Sequence, residues 1–176
     1  PRDGGRSGVT LQHVLLKAAV LAAFFGAIAA GAAVFAENVD PQNDMSQYAW
    51  GENVGWINAE PSGDAGPGVT VSGAGVRGYM WGENIGWINM SCQNNGTCGT
   101  TSYGVLNDGA GLLSGYAWGE NVGWISFSCT NTNACGAANY RVQIDPATGI
   151  WSGYAWGENI GWISFSDTTP VAYKVQ

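Results

Sequence analysis

Trp50-Gly51-Glu52-Asn53-Val54-Gly55-Trp56-Ile57 is one of four copies of a single sentence in this chain. It returns at residues 81–88, 118–125 and 156–163, with Val or Ile as its only variable position. A tyrosine and one small or apolar residue precede each copy, at Tyr48, Tyr79, Tyr116 and Tyr154, and eight of the nine tryptophans lie inside the copies. First tryptophans are 31, 37 and 38 residues apart. A near-regular period of this length marks a repeat architecture and takes precedence over any local structure.

Working outward, each full unit has three short segments. The first is β-rich: Val69-Thr70-Val71, Tyr103-Gly104-Val105-Leu106, or Tyr140-Arg141-Val142-Gln143-Ile144. A turn rich in Gly, Asn and Asp follows, including Asp145-Pro146, which supplies the fixed and positive φ values that tight turns need. The second segment ends in Gly-Tyr-x-Trp, and the third is (Val/Ile)-Gly-Trp-Ile. Gly-Glu-Asn lies between them, with Asn read as the left-handed residue of a short hairpin loop. All segments are too short for helices. The chain therefore reads as all-β: four tandem three-stranded antiparallel meanders, in a closed ring or barrel-like arrangement favoured over an open β-solenoid.

Two hairpin registers are open. A two-residue Glu-Asn loop sets Trp50 opposite Gly55 and Ala49 opposite Trp56, large over small on both faces. A three-residue loop instead lines Tyr48, Trp50, Val54 and Trp56 along one face. With so few Leu and Ile, the aromatic residues are expected to build the core rather than a sugar-binding platform.

Before the repeats, Arg2, Arg6 and Lys17 precede an uncharged run from 18 to 36 that closes on Ala33-Val34-Phe35-Ala36. Residues 1–36 read as a signal peptide cut before Glu37. The rival is an uncleaved membrane anchor, and the small residues at the cut favour cleavage. Residues 37–47 read as a flexible lead-in and 48–176 as the four-repeat domain. After cleavage Arg77, Arg141 and Lys174 stand against twelve acids, a net charge of −9. Such a surface repels nucleic acid and anionic membrane.

Cys92/Cys98 and Cys129/Cys135 lie in insertions after the third segment of units two and three. Four cysteines in an exported chain read as two disulfides of three possible connectivities, and matched spacing in matched loops favours the local pairs. Metal binding is the weaker reading, since the spacing is not Cys-x-x-Cys and the only histidine, His13, is in the leader. That histidine's position also leaves no Ser-His or Cys-His pair. Glu52, Glu83, Glu120 and Glu158 occupy one repeat position. Equivalent carboxylates do not make the unequal pair that glycoside hydrolysis needs. The chain is read as no enzyme and as having no cofactor. Ca²⁺ is the one ion that the Glu-Asn oxygens could take, against the plainer reading of those residues as turn chemistry.

The string from Ser152 to Phe165, Ser-Gly-Tyr-Ala-Trp-Gly-Glu-Asn-Ile-Gly-Trp-Ile-Ser-Phe, resembles repeats of largely uncharacterised secreted bacterial proteins with a Gly-Tyr-Ala-Trp-x-x-Asn-(Ile/Val)-Gly-Trp-Ile pattern. The resemblance covers residue 48 onward. It implies an exported surface or matrix protein and brings no catalytic residues. The Trp/Tyr/Gly repeats are also similar, by analogy alone, to cell-wall- and glucan-binding modules.

Two functions follow as expectations. One is a non-enzymatic structural or adhesive protein of the cell surface or extracellular matrix, self-associating by strand addition. The other is a carbohydrate-binding module in which Trp50, Glu52, Asn53, Trp81, Glu83, Asn84, Trp118, Glu120, Asn121, Trp156, Glu158 and Asn159 hold a surface glycan. Finally, Tyr173-Lys174-Val175-Gln176 repeats the opening-strand pattern Tyr140-Arg141-Val142-Gln143, whereas unit one has no opening strand before Tyr48. Pairing of that spare strand with the vacancy inside one molecule is favoured slightly over pairing between molecules, with a frayed terminus as the plainer alternative.

Overall fold

The computed structural model describes residues 39–61 and 68–176, so the leader assigned to residues 1–36 lies outside the described residues. Unit one supplies β1 (Tyr48–Gly51) and β2 (Gly55–Asn58). Unit two supplies β3 (Thr70–Ser72), β4 (Gly75–Arg77), β5 (Tyr79–Gly82) and β6 (Gly86–Asn89). Unit three has β7 (Val105–Asn107), β8 (Leu113–Gly119) and β9 (Gly123–Ser126). Unit four has β10 (Val142–Ile144), β11 (Trp151–Gly157) and β12 (Gly161–Ser164), and β13 (Ser166–Asp167) and β14 (Tyr173–Lys174) follow.

The four copies of the motif are four hairpins, β1–β2, β5–β6, β8–β9 and β11–β12. They stand side by side, each antiparallel to the next, and β12 pairs back onto β1. The result is a closed eight-stranded barrel, the closed ring rather than the open solenoid. Closure removes every edge from the central layer.

Register is settled by the pairs Trp50↔Trp56 and Gly51↔Gly55, which make the loop three residues long. The Val54 amide donates to the Gly51 carbonyl oxygen at 3.2 Å, and Gly55 takes φ +80°. That is a tight turn followed by one left-handed residue. The left-handed residue is thus the glycine, not the asparagine as expected. Gly86, Gly123 and Gly161 repeat it with φ between +76° and +82°. A residue without Cβ takes that conformation at no steric cost, whereas Asn only tolerates it.

This register turns Ala49 and Ile57 inward and both tryptophans outward. The interior is filled in fourfold layers: Ile57, Ile88, Ile125 and Ile163 with Ala49, Met80, Ala117 and Ala155, all buried. Val54, Ile85, Val122 and Ile160 fold in from the hairpin loops and close one end. Ala59, Met90, Phe127 and Phe165 fill the other, with Trp151 stacked on Phe165 at 5.4 Å and 22°. The core expected from the repeat aromatics is instead built mainly from Ile, Val, Ala and Met, with Phe127, Phe165 and Trp151, the one fully buried indole, at a single end. An eight-stranded barrel has an interior just wide enough for such side chains. Two indoles per hairpin would not fit.

The strands extend past the barrel at the end away from the hairpin loops. β8 and β11 bend at Gly115 and Gly153, φ +80° and +82°, where an added Cβ would strike the carbonyl oxygen of Gly104 or Arg141. Their first halves pair with the opening strands β7 and β10, and their second halves with β9 and β12. Gly78, φ +83°, marks the same bend between β4 and β5. Each of these three units is the three-stranded meander read from the sequence.

Unit one receives its opening strand from the far end of the chain. Val175 bridges to Gln47 as Val105 pairs with Gly115 and Val142 with Gly153. The Val175 amide donates to the Phe165 carbonyl oxygen at 3.0 Å, and its own carbonyl accepts from Trp151 at 2.8 Å. Val175 itself is fully buried. The spare strand and the vacancy pair within one molecule. The lead-in that meets them, expected to be flexible, has a defined path from Val39 to Gln47. The buried Asp40 carboxylate accepts from the Asp44 amide, the Met45 amide and the Ser46 hydroxyl at 2.9–3.1 Å.

Both disulfides form within their insertions, Cys92–Cys98 and Cys129–Cys135. Each loop opens with a serine whose hydroxyl caps a short 3-10 turn, Ser91 to Gln93 and Ser128 to Thr130. Each then delivers one asparagine to the bend glycine of its unit. Asn94 accepts from the Gly78 amide and donates to its carbonyl oxygen, and Asn131 does the same for Gly115. Among the described residues no helix is long and apolar enough to cross a membrane.

Candidate functional site

The register that fills the barrel with Ile and Ala places an aromatic belt around its outside. In each hairpin the two tryptophans meet, edge to face in the first three and tilted at 59° in the fourth, with centroids 4.9 Å apart for Trp50–Trp56, 4.8 Å for Trp81–Trp87, and 4.6 Å for Trp118–Trp124 and Trp156–Trp162. The tyrosine two residues before the first tryptophan covers the second one, at 6.0–6.2 Å. An opening-strand tyrosine also packs on the same indole: Tyr103 on Trp124, Tyr140 on Trp162, and Tyr173 on Trp56, at 5.2–5.3 Å. Tyr173 thus does for unit one what Tyr103 and Tyr140 do for units three and four. In unit two the corresponding sequence position is Pro67.

This mutual packing still leaves area open to solvent. Trp50, Trp56, Trp81 and Trp124 are 39%, 42%, 37% and 43% exposed, and Tyr154 is 49% exposed. Burial pushes the phenols of Tyr103, Tyr116 and Tyr173 up from an ordinary value that already lies well above neutral pH.

The residues expected to bind a ligand divide sharply. Trp50, Trp81, Trp118 and Trp156 lie in the belt. Asn53, Asn84, Asn121 and Asn159 are committed to the fold. Their amides donate to the carbonyl oxygens of Ile160, Val54, Ile85 and Val122, at 3.2, 3.0, 3.1 and 3.0 Å. Each bond reaches the neighbouring unit's loop, and the four together make a closed cycle around one end of the barrel. Glu52, Glu83, Glu120 and Glu158 are exposed beside them. Glu52 also takes part in the scaffold: its Oε1 accepts from the Trp162 amide at 3.0 Å across the closing seam. For Ca²⁺, an ion that wants six to eight oxygens, the described residues hold no group of three or more His, Cys, Asp or Glu side chains.

Two recesses open on the belt. The larger, about 1480 Å³, runs over units three and four past Tyr116, Trp118, Trp124, Trp156 and Trp162 and is walled by both disulfide loops. The smaller, about 580 Å³, lies at the seam of units four and one and is lined by Trp50, Glu52, Tyr140, Tyr154, Trp162, Asp167 and Tyr173, with Asn139 at its rim. The reading of the sequence missed the second tryptophan of each hairpin, Trp56, Trp87, Trp124 and Trp162, together with Tyr173 and Asp167. The signal for the tryptophans was present: counting by two across a three-residue loop joins Trp50 to Trp56. Comparison of the chain with protein-family models, with curated proteins and with solved structures finds no match.

Proposed function

We propose that this is a secreted, non-enzymatic adhesive module of the cell surface or matrix that holds glycan chains on its outer aromatic belt. The observation that carries the reading is the outward placement of all eight repeat tryptophans. A folded chain that leaves four indoles more than a third exposed forgoes burial energy, about 25 cal/mol per Å² of apolar surface. Contiguous exposed apolar surface rimmed by polar groups marks an interaction site. Sugar rings present apolar C–H faces bordered by hydroxyls, which match indole and phenol faces bordered by Glu, Asn and tyrosine hydroxyls. Fourfold repetition suits a polymer with repeating epitopes, where several weak contacts add through effective concentration.

Export is supported by the leader pattern and by two disulfides, which persist in oxidising compartments. The four equivalent carboxylates support a non-enzymatic role. Self-association by strand addition is not part of the proposal, because the strand it would use is already paired with Gln47. The test is a glycan array combined with iodide quenching of tryptophan fluorescence. The expected result is binding to a set of glycans that reduces quenching, and loss of that binding in a Trp118→Ala/Trp124→Ala variant. Absence of binding across the array would overturn the reading.

A further inference from the structure

We infer that the seam cleft between units four and one is a subsite for a glycan bearing a protonated amine, of the amino-sugar class; this rests on the glycan reading above. The seam differs from the other three junctions because two features outside the repeats converge there. Tyr173 comes from the closing strand, and Asp167 from β13. With Glu52 they give the cleft two carboxylates and no lysine or arginine among its lining residues. The longer groove over units three and four counts both Arg77 and Glu158 among its lining residues, so its formal charges offset.

Both seam carboxylates are held in place by backbone amides. Glu52 accepts from Trp162, and Asp167 Oδ1 accepts from Thr168 and Thr169 at 2.6 and 3.1 Å. Neither bond neutralises a charge, so the cleft stays anionic. Around these acids stand Trp50, Tyr140, Tyr154, Trp162 and Tyr173. An ammonium is drawn to aromatic faces as well as to carboxylates, and the body of a pyranose ring stacks on the same faces. Uronates, sialylated chains and phosphorylated sugars are repelled by the same acids. A volume of about 580 Å³ lies within the ordinary range of small-ligand sites.

The test is calorimetric titration of the protein at pH 6 with a glucosamine tetramer, its N-acetylated counterpart, cellotetraose and a galacturonate tetramer. The expected order is the amine oligomer on the order of fivefold or more tighter than the acetylated one, with the galacturonate weakest. The preference should shrink at 0.5 M salt, about half the 1 M at which the screening length is near 3 Å, and vanish in Glu52→Gln/Asp167→Asn. Both substitutions keep the oxygen that the backbone amides donate to, so the seam still closes. Equal affinity for amine and acetylated oligomers, or a preference that survives the double substitution, overturns the subsite while glycan binding stands. Failure of every oligomer to bind overturns the subsite, and the glycan reading falls with it only if the array is also empty.

Discussion

Substituting Asn84 by Ala removes the amide that donates to the Val54 carbonyl oxygen and opens one link of the four-membered asparagine cycle. The expected cost is about 0.5–1.5 kcal/mol of unfolding free energy, with the stranded carbonyl pushing toward the upper end. Glu83→Gln, one residue earlier and exposed, should stay within about 0.5 kcal/mol of the parent. Urea denaturation of the two variants side by side separates the roles of two residues that the repeat preserves equally. Equal effects would refute the cycle as a structural element. Asp108 supplies a pH-dependent case. Its Oδ1 accepts from the Ala110 and Leu112 amides at 2.9 and 3.0 Å, and these bonds hold its carboxyl below the usual carboxylate range. A carboxyl depressed on folding stabilises the protein above its unfolded value, 3.8. That contribution is lost as pH falls through the folded value. Asp108→Asn keeps the accepting oxygen and removes the titration. The urea midpoint should therefore lie below the parent's near neutral pH and converge with it as pH falls below about 4.

The hairpin and the disulfide loop are the elements in which the sequence could be read furthest and where it misled. Four copies of one motif, bounded by Gly, Asn and Asp, made strands and a ring legible before any coordinates. The Cys-x5-Cys spacing made the local bridges legible too. What stayed open was one residue of loop length, because Gly55 had two plausible uses. Read as space for an indole, it permits a two-residue loop with Asn53 left-handed. Read as the left-handed residue itself, it makes the loop three residues long, and Trp50 faces Trp56 instead of Gly55. From that single choice follows the placement of the tryptophans. The argument that scarce Leu and Ile leave the core to aromatics failed because a barrel of eight short strands has little interior to fill. The loops carry their own test. Closing a seven-residue loop removes about 2 kcal/mol of unfolded-state entropy in the chain-entropy account. Cys92→Ser/Cys98→Ser should lower stability by about that much, and the Asn94 clamp on Gly78 should loosen with it. Faster hydrogen exchange at the Gly78 amide, with the Gly115 amide unchanged, is the expected signature. Equal acceleration at both would show that the loops do not act locally.

At the scale of the whole molecule, the fold is a ring whose last seam must be made by segments far apart in sequence. Unit four meets unit one through β12 and β1, Glu52 caps the Trp162 amide across the junction, and Val175 enters the layer beyond Gln47. Long-range closure of this kind brings its stabilising contacts only after the intervening chain is ordered. The closing strand is therefore expected to behave as core, not as a frayed end. Its valine is as buried as Val105 and Val142, the residues at the same repeat position inside the chain. Removing two methyl groups from a fully packed site costs about 2–3 kcal/mol, between the values for smaller and larger core truncations. Val175→Ala and Val142→Ala should thus lose similar stability in urea, and both variants should sediment as the parent does. A Val175→Ala loss below about 0.5 kcal/mol, the range of ordinary surface changes, would mean that the strand contributes nothing to closure. A growth of large species on substitution would instead mean that the vacated seam recruits the same strand from another molecule.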